Sequence, residues 1–138
     1  MKKFLALLLT AVMMFSMSIT ALAAVPDAGV ISPLWDNAAS VEVKLTFVGT
    51  TGYATAKVTG NSGTTAIKAT VAVYKQIGED EWEYVDHTGG RTTTSSSYNP
   101  SVTFTGESGA YYKVVLNTTV TIDDVDENII EFDYGTCP

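Results

Sequence analysis

Cysteine and histidine are almost absent from this sequence, and their scarcity excludes several kinds of chemistry. The single cysteine, Cys137, is next to last, so no disulfide can form within the chain and stability must come from packing. We expect this terminal thiol to be solvated and unpaired in a monomer, with a disulfide-linked dimer as the alternative. The single histidine, His87, precedes a Gly-Gly turn, and no Gly-x-Ser-x-Gly segment is present. We therefore expect no nucleophilic enzyme, no cofactor and no metal centre.

Basic residues are also few, and this limits the classes of partner that the protein is expected to bind. The chain has 8 Lys and Arg against 15 Asp and Glu, and two of the basic residues, Lys2 and Lys3, lie in the first three positions. A chain without those two carries a formal charge of about −9, which argues against binding nucleic acid or anionic lipid.

The N-terminus has the organisation of an export signal. Lys2 and Lys3 precede an apolar stretch from Phe4 to Met17, and Ala21-Leu22-Ala23 then forms a small-x-small cleavage site. The apolar run is shorter than the roughly 20 residues that span a bilayer. Cleavage is expected after Ala23, or alternatively after Ala24. Without a cysteine after that site or an apolar C-terminal tail, the sequence predicts a secreted protein with no membrane insertion after cleavage.

Beyond the signal, residues 24–39 indicate a leader or linker and residues 40–138 a single β-rich domain. Pro26, Gly29 and Pro33 interrupt any regular pattern in the leader, which is expected to move freely except near Trp35. From Val41 onward apolar residues alternate with polar ones, and no window has a helical period. Seven strands are predicted, at Val41–Phe47, Ala54–Val58, Ile67–Tyr74, Glu81–His87, Val102–Thr105, Tyr111–Ile122 and Ile129–Tyr134. Short strands with apolar residues on one face and polar residues on the other favour an immunoglobulin-like antiparallel β-sandwich over a closed barrel.

One segment resembles the start of strand F in immunoglobulin-like domains. Glu107-Ser108-Gly109 is an acidic-x-Gly turn that leads into Tyr111-Tyr112-Lys113-Val114, and such domains place a tyrosine two residues before a buried position. The immunoglobulin spacing selects Tyr111 and would bury Lys113, whereas the alternation of the strand selects Tyr112 and buries Val114. We follow the alternation, because burying an unpaired lysine costs several kcal/mol.

Most of the chain after the signal is similar to small secreted proteins of Gram-positive bacteria that form a domain-of-unknown-function family. The similar segments are Ile31-Ser32-Pro33, Val58-Thr59-Gly60-Asn61-Ser62-Gly63, Ala66-Ile67 and Tyr111-Tyr112-Lys113-Val114. The resemblance implies an immunoglobulin-like fold, and the family brings no activity, cofactor or catalytic residue with it.

Two clusters are candidates for a site. Asp123, Asp124, Asp126 and Glu127 crowd one turn, where Ca²⁺ would find several oxygens, but the spacing is not that of an EF-hand and acidic residues are also common at solvated hairpin tips. A site for glycan binding is the second candidate. Trp82 and Tyr84 share a strand face that Tyr74 would extend, yet a tryptophan at period two is more often a core residue, so both interpretations stay open.

The polar run from Arg91 to Ser97 is expected to be a solvated edge strand or loop. Taken together, these features predict a secreted, non-enzymatic protein that binds an extracellular protein or glycan. A structural protein that self-associates through an edge strand, or a bacteriocin-like or inhibitor-like factor, is the alternative.

Overall fold

The computed structural model describes residues 34–138, which form nine β-strands. They are β1 (Ala38–Val48), β2 (Thr51–Gly60), β3 (Thr64–Gly78), β4 (Glu81–His87), β5 (Arg91–Thr93), β6 (Ser97–Tyr98), β7 (Ser101–Thr105), β8 (Tyr111–Ile122) and β9 (Val125–Thr136). Within this range no helix is long and apolar enough to cross a membrane. The predicted signal peptide, and the leader as far as residue 33, lie outside the described residues.

The strands form two antiparallel sheets, and the predicted β-sandwich is confirmed. In sheet 1, β2 pairs with β1 on one side and with β6 and β7 on the other. In sheet 2 the order is β4, β3, β8 and β9, and β5 extends the β4 edge along β3. All seven predicted strands are present. The two additional strands, β5 and β6, are short and fall on the polar run that was expected to be an edge strand or loop.

The core lies between the sheets and follows the alternation of the sequence. On β3, Val71 and Val73 are fully buried, and on β8, Val114 and Leu116 are fully buried opposite them. Burying such a side chain contributes roughly 1.5–3 kcal/mol. Thr118 is a buried polar residue on the same face, and its hydroxyl donates a hydrogen bond to the Lys68 carbonyl at 3.0 Å. The core therefore has no unpaired hydroxyl at this position.

The tyrosine chosen by strand alternation is the buried one. Tyr112 is 1% exposed, and its hydroxyl oxygen accepts a hydrogen bond from the backbone N–H of Glu107 at 2.8 Å. Its ring packs against Phe47 and Phe104, with centroids 5.6 and 5.2 Å away. Tyr111 is 39% exposed on the opposite face. The prediction that Tyr112 and Val114 are buried is confirmed.

The end of the leader is anchored to the sandwich. The carboxylate of Glu127 accepts hydrogen bonds from the backbone N–H groups of Asp36 and Asn37, at 2.9 and 2.7 Å. The Asn37 side chain is buried and donates to the carbonyls of Val120 and Val125. Strand β1 begins at Ala38, two residues before the predicted start of the domain. The anchored residues adjoin Trp35, where the leader was not expected to move freely.

Cys137 is buried, which contradicts the expected solvated thiol. Its N–H donates to the Ala110 carbonyl at 2.9 Å, and its carbonyl accepts from the Gly109 N–H at 2.8 Å. A Cβ atom on Gly106 would lie only 3.0 Å from its Sγ, so the thiol packs directly against backbone. The chain beyond β9 is held by the loop between β7 and β8.

Candidate functional site

The outer faces of the two sheets differ strongly in composition. The outer face of sheet 1 is mainly polar, with Glu42, Lys44, Thr55 and Lys57 exposed, although Val48 and Tyr53 are exposed there too. The outer face of sheet 2 exposes large apolar and aromatic side chains, and those at least half exposed or nearly so are Tyr84, Ile130, Phe132 and Tyr134. An outer face of an antiparallel sheet normally carries polar residues. A contiguous exposed apolar patch on one face is a feature of interaction sites.

Strand register places the aromatic residues of sheet 2 side by side. Tyr74 lies opposite Tyr84 on one side and opposite Lys113 on the other, and Lys113 in turn lies opposite Tyr134. The Tyr74 and Tyr84 rings meet edge to face with centroids 6.0 Å apart. Directly opposed positions bring side chains within contact distance, so neighbouring strands assemble one surface.

A β-bulge on β4 adds His87 to the same surface. Asp86 pairs with Val73 and Tyr84 with Tyr74, so Val85 is the extra residue of the bulge. Without a bulge, residues 84 and 87 would face opposite sides, because side chains alternate along a strand. Here the Tyr84 hydroxyl and His87 Nδ1 are hydrogen-bonded.

Trp82 lies on this outer face and is not part of the core between the sheets. It is half-buried, and its ring centroid lies 6.2 Å from those of both Tyr111 and Tyr134. The Lys113 ammonium lies 4.2 Å from its ring centroid. Strands β3 and β8 separate β4 from β9, a span of about 14 Å at normal strand spacing, so the indole leans across the sheet. We name Tyr74, Trp82, Tyr84, Tyr111 and Tyr134 the outer aromatic cluster.

A trough lies beside the outer aromatic cluster on the same face. It has a volume of about 420 Å³ and is lined by Lys68, Thr70, Ala72, Tyr74, Val115, Asn117 and Thr119. The small side chains of Thr70 and Ala72 stand between the long ones of Lys68 and Tyr74, and this difference in length makes the depression. Its volume falls in the range of small-ligand sites, which combine apolar walls with a few polar groups.

The acidic turn uses its carboxylates in separate ways. Asp123 and Asp124 have φ of 50° and 62°, so they form a two-residue hairpin turn in which both residues have positive φ, for which Asp is well suited. Asp126 accepts a hydrogen bond from the Thr121 hydroxyl at 2.7 Å, and Glu127 holds the N-terminal segment. Among residues 34–138 no group of three or more His, Cys, Asp or Glu side chains is arranged to hold a metal ion.

Lys75 forms ion pairs away from the outer face. Its ammonium lies 2.8 Å from Glu107 and 3.9 Å from Glu83, and the hydrogen bond to Glu107 is the main cause that raises the pKa of Lys75 above its ordinary value. This contact joins β3 to the loop between β7 and β8.

Sequence reasoning found part of the outer aromatic cluster and missed the rest. Trp82, Tyr84 and Tyr74 were candidates, whereas Tyr111 and Tyr134 were not considered for the site. A usable signal was present, because Tyr111 and Lys113 have the opposite alternation to the core residues Tyr112 and Val114. Aromatic residues at positions that should face water were the clue.

The fold and this surface define the class: an antiparallel β-sandwich protein with one aromatic outer face. No family model matches the chain, and no curated protein matches it. Solved structures that match include Spo0M, a sporulation control protein from Bacillus subtilis, at 18% identity and a TM-score of 0.36. The match covers 74% of this chain and 49% of that one, so it spans about half of Spo0M. This similarity is too weak to assign a function.

Proposed function

We propose that this chain is a secreted, non-enzymatic, immunoglobulin-like β-sandwich protein that binds a glycan through the outer face of sheet 2. The observation that carries the proposal is the outer aromatic cluster beside a trough with polar walls. Secretion rests on the N-terminal signal pattern, and the absence of catalysis rests on the scarcity of nucleophile and base pairs in the sequence.

The chemistry of the surface suits a sugar chain. A sugar ring has apolar C–H faces and a rim of hydroxyl groups, so it needs flat apolar surfaces next to hydrogen-bonding groups. The rings of Tyr74 and Tyr84 supply the first, and the side chains of Thr70, Asn117 and Thr119 supply the second. Tyrosine is well suited to such a site, because its ring is apolar and its hydroxyl is polar.

Two features support the immunoglobulin-like assignment. The Tyr112 hydroxyl bonds to backbone five residues upstream, as the tyrosine corner of such sandwiches does. The sheet membership also fits, since β1, β2 and β7 lie in sheet 1 while β4, β3, β8 and β9 lie in sheet 2, as strands A, B and E and strands C′, C, F and G of such sandwiches do.

Retention on insoluble polysaccharides tests the proposal. Wild-type protein is incubated with cellulose, chitin, xylan and purified Gram-positive cell walls, and the bound fraction is measured. Tyr84→Ala removes an exposed ring and Trp82→Ala removes the centre of the cluster, whereas Tyr53→Ala removes an exposed tyrosine from sheet 1 and is the matched control.

We expect wild type and Tyr53→Ala to be retained on at least one material, and Tyr84→Ala and Trp82→Ala to lose at least tenfold in affinity. Circular dichroism shows whether each variant is folded. If Trp82→Ala unfolds, Tyr84→Ala still decides the result, because its side chain is half exposed. Retention that is equal in all four proteins, or no binding of wild type to any insoluble or soluble polysaccharide, would refute the proposed function.

Self-association through an edge strand is a weaker candidate. The Asp133 carboxylate accepts a hydrogen bond from the Leu45 N–H of edge strand β1 at 2.7 Å, so part of that edge is already occupied. On edge strand β9, Glu131 and Asp133 would meet like charges in a pairing of two copies. Light scattering after size-exclusion chromatography is expected to show a monomer.

A further inference from the structure

Acidic residues are almost excluded from the outer face of sheet 2. The acidic residues in its strands are Glu81, Glu83, Asp86, Asp126, Glu127, Glu131 and Asp133. Register places Glu83, Asp86, Glu127, Glu131 and Asp133 opposite residues of the core side, and Glu81 next to the β3–β4 turn. Only Asp126 is paired with an outward-facing residue, Thr121, and it lies at the far end of the sheet. An acidic protein therefore has one face that is nearly free of carboxylates.

Two lysines stand on this same face. Lys68 lines the trough, and Lys113 lies within the outer aromatic cluster, 5.4 Å from the Tyr74 centroid. Lys68 and Tyr74 are six residues apart on β3, or about 20 Å, so the two charges lie toward opposite ends of the trough. In residues 34–138 the salt bridges involve Lys75 alone, so neither lysine is neutralised by a carboxylate. A cation–π contact leaves the full charge on Lys113.

The local charge of this face matters more to a bound ligand than the net charge of the chain. At physiological ionic strength the screening length is about 8 Å, and stacked sheets lie about 10 Å apart. Carboxylates on the other sheet are thus largely screened from a ligand on the outer face. The net negative charge, which argued against polyanionic partners, does not describe this surface.

Building on the proposed glycan site, we propose that its ligand is an anionic polysaccharide. Lys68 and Lys113 contact the acidic groups spaced along the sugar chain, and the rings of the outer aromatic cluster stack on the sugar rings between them. The lysines select for charge, whereas the rings select for a sugar backbone.

Matched pairs of soluble polysaccharides test this inference by affinity electrophoresis. The pairs are polygalacturonate and its methyl ester, carboxymethyl and hydroxyethyl cellulose, and dextran sulfate and dextran. The variants are Lys68→Met and Lys113→Met, with Lys57→Met on the outer face of sheet 1 as control. Methionine keeps most of the aliphatic stem and removes the charge. Lys113 contacts the Trp82 ring, so Lys113→Met could loosen the outer aromatic cluster. Lys68 lies at the other end of the trough, so Lys68→Met remains informative in that case.

We expect at least tenfold tighter binding to the charged member of one or more pairs. Lys68→Met and Lys113→Met should each weaken that binding at least fivefold, and Lys57→Met should leave it unchanged. Counterion release at two lysines, scaled as for single-stranded polyanions, predicts about sevenfold weaker binding between 50 and 200 mM salt.

Each other outcome overturns the inference. Equal binding to charged and neutral members, or binding only to neutral polysaccharides with loss in Tyr84→Ala, would refute charge selection and leave the glycan site standing. An equal effect of Lys57→Met would show general charge attraction and no site. Binding of a single-stranded DNA probe as tight as that of the anionic polysaccharides would refute selection for a sugar chain. If no polysaccharide binds here or in the retention assay, both proposals fail.

Discussion

Replacing Tyr112 by phenylalanine removes one oxygen atom. It tests whether Tyr112 or Tyr111 is the tyrosine whose hydroxyl bonds back to the backbone at the start of β8. The Tyr112 hydroxyl accepts the Glu107 N–H at 2.8 Å, and phenylalanine has no acceptor to replace it. The ring contacts to Phe47 and Phe104 are kept, because the aromatic ring itself is unchanged. The substitution therefore isolates the hydrogen bond from the packing.

The magnitude follows from the donor that is left unpaired. A donor that loses its partner in a buried place costs about 1–3 kcal/mol, and the site is part-buried, so we expect a loss of about 1–2 kcal/mol in the free energy of unfolding. For a domain of this size the melting temperature should fall by about 5–10 °C.

Urea denaturation followed by circular dichroism measures the effect, with the m-value expected to stay constant. Tyr111→Phe is the matched control, because Tyr111 is the next residue and is exposed on the outer face. It should change stability by less than about 0.5 kcal/mol. An equal loss in both variants, or no loss in Tyr112→Phe, would contradict the assignment of Tyr112 as the corner residue.

Three further predictions concern packing, thiol access and charge. In Gly52→Ala the new Cβ would overlap the Phe104 ring, so we expect a loss of about 1–3 kcal/mol in urea denaturation, and an unchanged midpoint would contradict the close approach. Cys137 should react with a thiol reagent only as the protein unfolds, and immediate full reaction in the absence of urea would refute its burial. The pKa of Lys75 is raised mainly by the hydrogen bond to Glu107. The charged Lys75 side chain therefore stabilises the fold below the ordinary lysine pKa, and this stabilisation is lost as the pH rises through the raised pKa. The stability difference between wild type and Lys75→Met should therefore shrink in alkaline urea titrations, and a difference that grows with pH would refute it.

Local patterns in the sequence were enough to locate the strands. The alternation at Val71 and Val73 and at Val114 and Leu116 predicted which side chains are buried, because a strand presents every second residue to the same face. The same rule identified Tyr112 as buried against the immunoglobulin spacing. It worked because the penalty for burying Lys113 is larger than any preference for motif spacing.

Contacts between distant segments could not be predicted in this way. Cys137 stands near the end of the sequence and was expected to be solvated, yet the loop that contains Gly106 and Gly109 closes over it. Likewise, the Glu127 carboxylate holds Asp36 and Asn37, about 90 positions earlier in the chain. Neither contact has a local signal, because each depends on how two segments meet after the sheets have formed.

The candidate site shows the same division. The sequence by itself determined that Trp82 and Tyr84 share a strand face, since they are two residues apart. It did not determine whether that face is the core or the outer surface, because the alternation of β4 is the same in both cases. Pairing with β3 decided it, by placing Tyr84 opposite Tyr74 on the outward side. Only the tertiary structure brought Tyr111 and Tyr134 to Trp82, because side chains from three strands far apart in sequence become neighbours only when register and sheet order are set.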